Sequence, residues 1–227
     1  MLALVTAGPT HEPIDTVRYL GNRSSGRMGI AIAESLAARG HRVELLLGPV
    51  ATPPDDRSLR AMTIRPFRTT ADLAALLHDR WPKADLLVMA AAVADFRPAG
   101  GACPGKLERG ARLLLELEPT PDLLAACAAT RRPGQTLVGF ALEESARLGE
   151  RALAKLRRKG IDAIVANPLE TMDAPTIDGT LLLSDGSTLR HPDAVAGCGV
   201  AKPLFAVWLA ERLEALVDAR GASAGTT

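Results

Sequence analysis

The chain has 227 residues, 47% of them hydrophobic, and a formal net charge of +1 from 27 basic and 26 acidic side chains. That balance supplies apolar material for a real core and argues against broad electrostatic binding of nucleic acid or an acidic membrane surface. Aromatics at 3% are too few to build stacking platforms for single-stranded nucleic acid, and no apolar run reaches the ~18 residues that span a bilayer.

Residues 2–7 are a continuous apolar run closed by Gly8-Pro9, the pattern of a strand buried on both faces. No basic region precedes it, so it reads as a first strand and not a signal peptide. Ser24-Ser25-Gly26 opens a helix that runs to about Arg39 with Met28, Ile32 and Leu36 on one face, and Gly40 caps its C-terminus. A strand at 43–47 follows, then a loop rich in Pro and Asp at 51–60, a short strand at 62–66, and a helix at 70–80 capped by Thr69 or Thr70. Residues 85–92 are a strongly apolar strand. Residues 93–111, with Pro98, Gly100, Gly101, Pro104, Gly105 and Gly110, read as a mobile functional loop.

The alternation continues with strand 113–117, helix 121–130, strand 136–141, helix 145–159 and strand 163–167. Strands at 180–184 and 187–190 flank Asp185-Gly186, a two-residue signal for a type I′ hairpin. A helix over about 201–219 and a frayed tail at 221–227 end the chain. The fold class is therefore α/β: a Rossmann-like, mostly parallel sheet with helices on both faces and an antiparallel hairpin near the C-terminus, in one domain over 1–220.

In such a sheet, ligands bind beyond the carboxyl ends of the strands. The hydroxyls of Ser24 and Ser25 with the amide of Gly26 at a helix start offer an anion site, equally readable as an ordinary cap. Asn22 could donate to a carboxylate or acyl oxygen, or simply serve its turn. Ala91 and Ala92 would let a ligand lie against backbone, and Asp95 beyond them could bond a polar base or help hold a metal. Lys106 sits on the glycine-rich loop, where it could close over a phosphorylated intermediate. Lys155 and Lys159, four apart, share one helix face and could grip a polyphosphate, or form a solvated basic face. A nicotinamide site is disfavoured: no GxGxxG follows the first strand, and no acidic residue ends the second. There is no Walker A motif either. Cys103, Cys127 and Cys198 have neither disulfide-framework nor metal-ligand spacing, so a reducing, cytoplasmic setting is expected.

Val-Thr-Ala-Gly-Pro-Thr at 5–10, Glu-Pro-Ile-Asp-Thr-Val-Arg-Tyr at 12–19, Asn-Arg-Ser-Ser-Gly-Arg-Met-Gly at 22–29, Ala-Ala-Val-Ala-Asp-Phe-Arg at 91–97, Pro-Asp-Leu-Leu at 121–124, Val-Gly-Phe-Ala at 138–141, and the Ala152 to Asn167 block resemble phosphopantothenoylcysteine synthetase, over about residues 2–215. The resemblance implies a nucleotide-driven ligation. The carboxylate of 4′-phosphopantothenate attacks CTP (or ATP) to give an acyl-nucleotide, and the cysteine amine then displaces the nucleotide, with Mg²⁺ screening the triphosphate. It implies that Asn22 and Lys106 serve the intermediate, and that Ala91, Ala92 and Asp95 line the site. Pro121, Asp122, Leu123, Leu124, Phe140, Lys155 and Lys159 would hold the nucleotide. Arg18 would reach the substrate phosphate, in a neighbouring subunit of a homodimer. No flavin, nucleic acid or membrane partner is expected, and a separate decarboxylase is possible.

Only five of the 27 basic residues are lysines (Lys83, Lys106, Lys155, Lys159 and Lys202), and three of the five fall where the family uses lysine. The chain departs from the family at Glu108 and Arg109, which replace two lysines, and at Thr120, where Asn is usual. Those departures leave open a relative that binds nucleotide or a pantothenate-like ligand without ligating it.

Overall fold

The computed structural model describes residues 1–110, 112–172, 174–195 and 197–224. The chain runs β1 (Leu2–Ala7), β2 (His11–Pro13), β3 (Tyr19–Gly21), α1 (Arg27–Ala38), β4 (Arg42–Leu47), α2 (Asp56–Ala61), β5 (Thr63–Pro66), α3 (Thr70–Arg80), β6 (Leu86–Met89), β7 (Phe96–Pro98), β8 (Leu117–Pro119), α4 (Leu123–Ala129), β9 (Thr136–Glu143), α5 (Leu148–Lys159), β10 (Ala163–Pro168), β11 (Thr176–Ile177), β12 (Thr180–Leu183), β13 (Thr188–Arg190), β14 (Val200–Ala201) and α6 (Lys202–Ala224).

The central sheet has eight strands in the order β13-β12-β10-β9-β6-β1-β4-β5. From β10 to β5 all pairings are parallel, and β12 pairs antiparallel with both β10 and β13. This is the mostly parallel sheet with a C-terminal hairpin that the alternation of elements dictates. Strand side chains alternate between two cores. Ala3, Val5 and Ala7 of β1 join Ile32 and Leu36 of α1 and Phe205 and Leu209 of α6 on one face. Leu4 joins Leu73 and Leu77 of α3, Leu123 and Leu124 of α4, and Leu156 of α5 on the other. Both faces are covered, which is why the central strands read as unbroken apolar runs. Burying each such leucine contributes about 1.5–3 kcal/mol.

Several local expectations are corrected. The 51–60 loop contains α2, because Asp55 caps it by accepting a hydrogen bond from the Ser58 amide at 2.9 Å; six residues are too few to show a period. The strand expected at 113–117 lies instead at 117–119, paired with β7 inside the segment read as loop. Leu113 and Leu114 are exposed, so the apolar run that suggested a strand there has no core to face. The two serines do not cap α1. Gly26 does, in the left-handed region at φ 71°. The hairpin turn has three residues: Gly186 N–H donates to Leu183 O at 3.0 Å and Leu183 N–H to Ser187 O at 2.9 Å, with Gly186 at φ 92°. That is a type I turn with a bulge, not a type I′ turn. Helix α6 runs through Ala224, past the boundary read at 219; residues 225–227 of the expected tail lie outside the described residues.

Helix α1 sits unusually close to β1. A Cβ at Gly29 would lie 2.6 Å from Ala7 Cβ and 2.8 Å from Thr6 O, so glycine there lets the helix rest on the strand backbone. Gly29→Ala is expected to destabilise the fold by about 1–3 kcal/mol through overpacking. Urea unfolding checks this; an unchanged midpoint would show that α1 can lift off β1 without cost.

Candidate functional site

The parallel strands lie in the order that places β1 and β6 on either side of the point where the chain reverses its direction of winding, so a crevice opens at their carboxyl ends. A cavity of about 770 Å³ occupies it, lined by residues 21–29, 89–95 and 120–124, by the β9–α5 region, and by Asn167, Thr171, Met172, Ile177 and Lys202.

Its first wall is an extension of the β1–β6 pairing beyond both strands. Ala92 N–H donates to Gly8 O at 2.9 Å and Thr10 N–H to Ala92 O at 3.2 Å. Two buried threonines hold the same segment from beneath: Thr6 Oγ1 accepts from Ala91 N–H at 3.0 Å, and Thr10 Oγ1 from Ala94 N–H at 2.9 Å. The result is a strip of small side chains, Ala90 to Ala92, backed by fixed peptide groups, with exposed Asp95 at the lip. Asn22 joins this wall from the opposite loop by donating its Nδ2 to Val93 O at 2.9 Å. Thr120 N–H donates to Asp95 O at 2.9 Å and its hydroxyl to Ala94 O at 2.5 Å, fastening segment 120–124 to the same strip.

The second wall is cationic. Asp122 caps α4 by accepting from Ala125 N–H at 3.1 Å and receives Lys159 Nζ at 2.7 Å. Burial works to raise the Asp122 pKa, but the Lys159 ammonium and the Ala125 amide outweigh it, and the carboxyl sits below its ordinary value. Lys155 Nζ lies 3.5 Å from Phe140 O. Burial first, then the like charge of Lys159, hold the Lys155 pKa below its ordinary value. An arriving anion would favour the protonated form of Lys155, so this wall is electrostatically prepared for phosphate or carboxylate.

The cavity thus brings together Asn22, Ser24, Ser25, Gly26, Ala91, Ala92, Asp95, Pro121, Asp122, Leu123, Leu124, Phe140, Lys155 and Lys159. Arg18 and Lys106 do not line it. They share a separate lobe, where the glycine-rich loop docks on residues 14–18: Cys103 N–H donates to Ile14 O at 2.9 Å and Thr16 N–H to Gly105 O at 3.1 Å. Buried Asp15 organises the lobe. It accepts from the amides of Val17 and Arg18, both at 2.7 Å, from the Leu107 amide at 3.1 Å, and pairs with the Arg18 guanidinium. Burial opposes the Asp15 charge, yet these amides and the guanidinium bring its pKa down to about 2.

Sequence reasoning missed Thr6 and Thr10, the polar positions in and after an apolar strand, which are the signal that the strand end holds something. It also missed the cavity-lining residues Arg158, Asn167 and Lys202. The scarcity of lysine could have flagged Lys202. Among the described residues no three His, Cys, Asp or Glu side chains gather to cage a metal ion. Of the two carboxylates that line the cavity, Asp122 is paired with Lys159 and Asp95 stands exposed at the lip.

A doubly wound α/β sheet with its cavity at the switch point defines a ligand-binding domain of the Rossmann-like class. Residues 2–204 match the family model for the DNA/pantothenate metabolism flavoprotein C-terminal domain, and the chain belongs to that family. It is 43% identical over 203 residues to the coenzyme A biosynthesis bifunctional protein CoaBC of Mycobacterium tuberculosis, covering 83% of this chain and 48% of that protein. It is 40% identical over 167 residues to a cysteine/cysteine sulfinic acid decarboxylase of an unknown prokaryotic organism, covering 73% and 45% respectively. The chain therefore spans about half the length of these curated relatives. The crystal structure of the C-terminal domain of a CoaBC protein superposes with a TM-score of 0.77 at 31% identity, covering 96% of this chain and 95% of that one. The resemblance read from the sequence motifs is borne out at the level of the family.

The Asp15 pKa lies below its ordinary 3.8, so its contribution to the lobe is complete above that value and is lost as pH falls from there towards about 2. Asp15→Asn is expected to mimic the acid state at neutral pH, raising exchange of the Leu107 amide roughly tenfold or more, the scale of one charge-assisted hydrogen bond. Hydrogen exchange reads this; wild-type protection in the variant would show the lobe is held by other contacts.

Proposed function

We propose that this chain is a ligase of coenzyme A biosynthesis, joining 4′-phosphopantothenate to cysteine at the expense of CTP, with ATP as the alternative nucleotide. The observation that carries the reading is the single cavity in which the Asn22 amide, the alanine strip and the Lys155/Lys159 wall face one another. The relatives named for coenzyme A biosynthesis support it.

A carboxylate is a poor acylating agent, and joining it to a nucleotide gives it a leaving group. The substrate carboxylate lies along Ala91 and Ala92, with Asn22 donating to its acyl oxygen. The nucleotide packs between Pro121–Leu124 and Phe140, and its phosphates meet Lys155 and Lys159; Lys159 must exchange Asp122 for phosphate, and Lys155 the Phe140 carbonyl. The carboxylate oxygen bonds to the α-phosphorus as pyrophosphate departs; the cysteine amine then attacks the acyl carbon, loses a proton and expels the nucleoside monophosphate. Asp95 would hold a Mg²⁺ ion, which when bound would screen the triphosphate charge. Arg18, for the substrate phosphate, and Lys106, for the intermediate, stand on the lobe outside the cavity. The reading therefore has them serve the cavity of a second copy in a homodimer. It places the enzyme in the cytoplasm, with decarboxylation of the product left to a separate protein or domain; among the described residues no helix is long and apolar enough to cross a membrane.

A coupled assay is expected to show pyrophosphate release that depends on 4′-phosphopantothenate, cysteine, Mg²⁺ and CTP. No release with either CTP or ATP overturns the ligase, and tight nucleotide binding without release favours a relative that binds and does not ligate. Lys155→Met is expected to raise the nucleotide KM roughly tenfold or more, the loss of one charge-assisted contact. Lys106→Ala is expected to cut turnover by about 100-fold with an unchanged melting temperature; undiminished turnover would remove Lys106 from the mechanism.

A further inference from the structure

Glu12, in β2, is 4% exposed, and among the described residues no ion pair accompanies it. Taking a carboxylate out of water without a cation is costly, so such a group is retained where its hydrogen bonds serve a purpose. Its Oε1 accepts from the Thr70 N–H and from the Thr70 hydroxyl, both at 2.7 Å. Helix α3, which Thr70 begins, does not need Glu12 as a cap. Thr69 Oγ1 accepts from the Asp72 N–H at 3.1 Å and the Asp72 carboxylate from the Thr69 N–H at 2.8 Å, a complete capping box. Glu12 is a second acid brought to a helix end that is already closed.

Its hold runs the other way, into the cavity wall. A hydroxyl has one proton, and Thr70 gives its own to the carboxylate. The Thr10 hydroxyl, 3.3 Å from Thr70 Oγ1, is then left to donate to it. That leaves a Thr10 lone pair for the Ala94 N–H, which donates to it at 2.9 Å. Ala94 in turn receives the Thr120 hydroxyl on its carbonyl at 2.5 Å. Both Thr10 and Thr70 are buried. Resting on the ligase reading above, we propose that Glu12 is a positioning residue for the nucleotide. Through Thr70 and Thr10 it fixes Ala94, and through Ala94 and Thr120 it fixes segment 121–124, against which the nucleotide packs. One acceptor that cannot donate orients both threonine hydroxyls. Without it, a hydroxyl could turn its proton towards the Ala94 amide and leave that buried donor unsatisfied, which would loosen the strip and the segment fastened to it.

Thr70→Val removes the middle hydroxyl at nearly constant volume and leaves the residue 70 N–H on Glu12. In calorimetry with CTP or ATP and Mg²⁺ it should weaken nucleotide binding roughly fivefold, the scale of one neutral hydrogen bond, and Thr70→Ser should restore the affinity. In steady state the nucleotide KM should rise by the same factor, with kcat and the 4′-phosphopantothenate KM within twofold of wild type. Glu12→Gln, whose amide oxygen can accept both bonds, should stay near wild type, and Glu12→Leu should lose at least as much affinity as Thr70→Val. Circular dichroism melts identify any variant that fails to fold; if Glu12→Leu is one, the Thr70→Val and Thr70→Ser pair carries the comparison. A Thr70→Val protein that melts lower but keeps its nucleotide affinity and KM would assign the network to the fold alone and overturn the proposal. Failure of Thr70→Ser to restore binding overturns it too. If the wild type binds nucleotide, Thr70→Val weakens that binding, and no pyrophosphate is released, the ligase reading fails and the role of Glu12 stands; a wild type that binds neither CTP nor ATP fails both.

Discussion

The continuation of the β1–β6 ladder past the ends of both strands sets the geometry of everything around it. Gly8, Thr10 and Ala92 exchange backbone hydrogen bonds where the chain has already left regular strand, and the hydroxyls of Thr6 and Thr10 clamp the segment after β6 from below. That segment then receives Asn22 through Val93 and Thr120 through Ala94 and Asp95. Three loops distant in sequence are thereby held to one strip of backbone. Buried hydroxyl and peptide groups of this kind are costly to leave unmade, so the strip is rigid for the same reason that it folds.

The fold was legible in the sequence to the extent that burial on both faces leaves a signature. Continuous apolar runs at β1, β6 and β10 and the face of Met28, Ile32 and Leu36 on α1 admit few other readings. What escaped was decided by pairing partners. Leu113 and Leu114 look like strand residues in sequence, yet the sheet has no place for them, and β8 begins only at Leu117, against β7. Likewise Ser24 and Ser25 have the chemistry of helix caps, but Val50 and Gly8 crowd the turn so closely that only a glycine fits at the cap.

The site was legible where its chemistry is carried by unusual residue choice, and obscure where it is carried by shape. Lysines in an arginine-rich chain and a run of alanines at a strand end mark positions that the cavity does bring together. Arg18 and Lys106 were equally visible, and they lie together too, but on a neighbouring lobe built around Asp15. No pattern along the chain reveals which side of a fold a loop will lean to, because that is fixed by the partners of a single buried carboxylate.

Asp122 has two attachments that belong to different helices: its carboxylate seats the first turn of α4 and also fastens Lys159 in the last turn of α5. A guest that draws Lys159 away leaves the seat intact and cuts the strap. The two helices are then joined only through the apolar side chains they share, Leu123 and Leu124 with Ala152 and Leu156, so an occupied cavity exchanges a polar tie between them for a purely hydrophobic one.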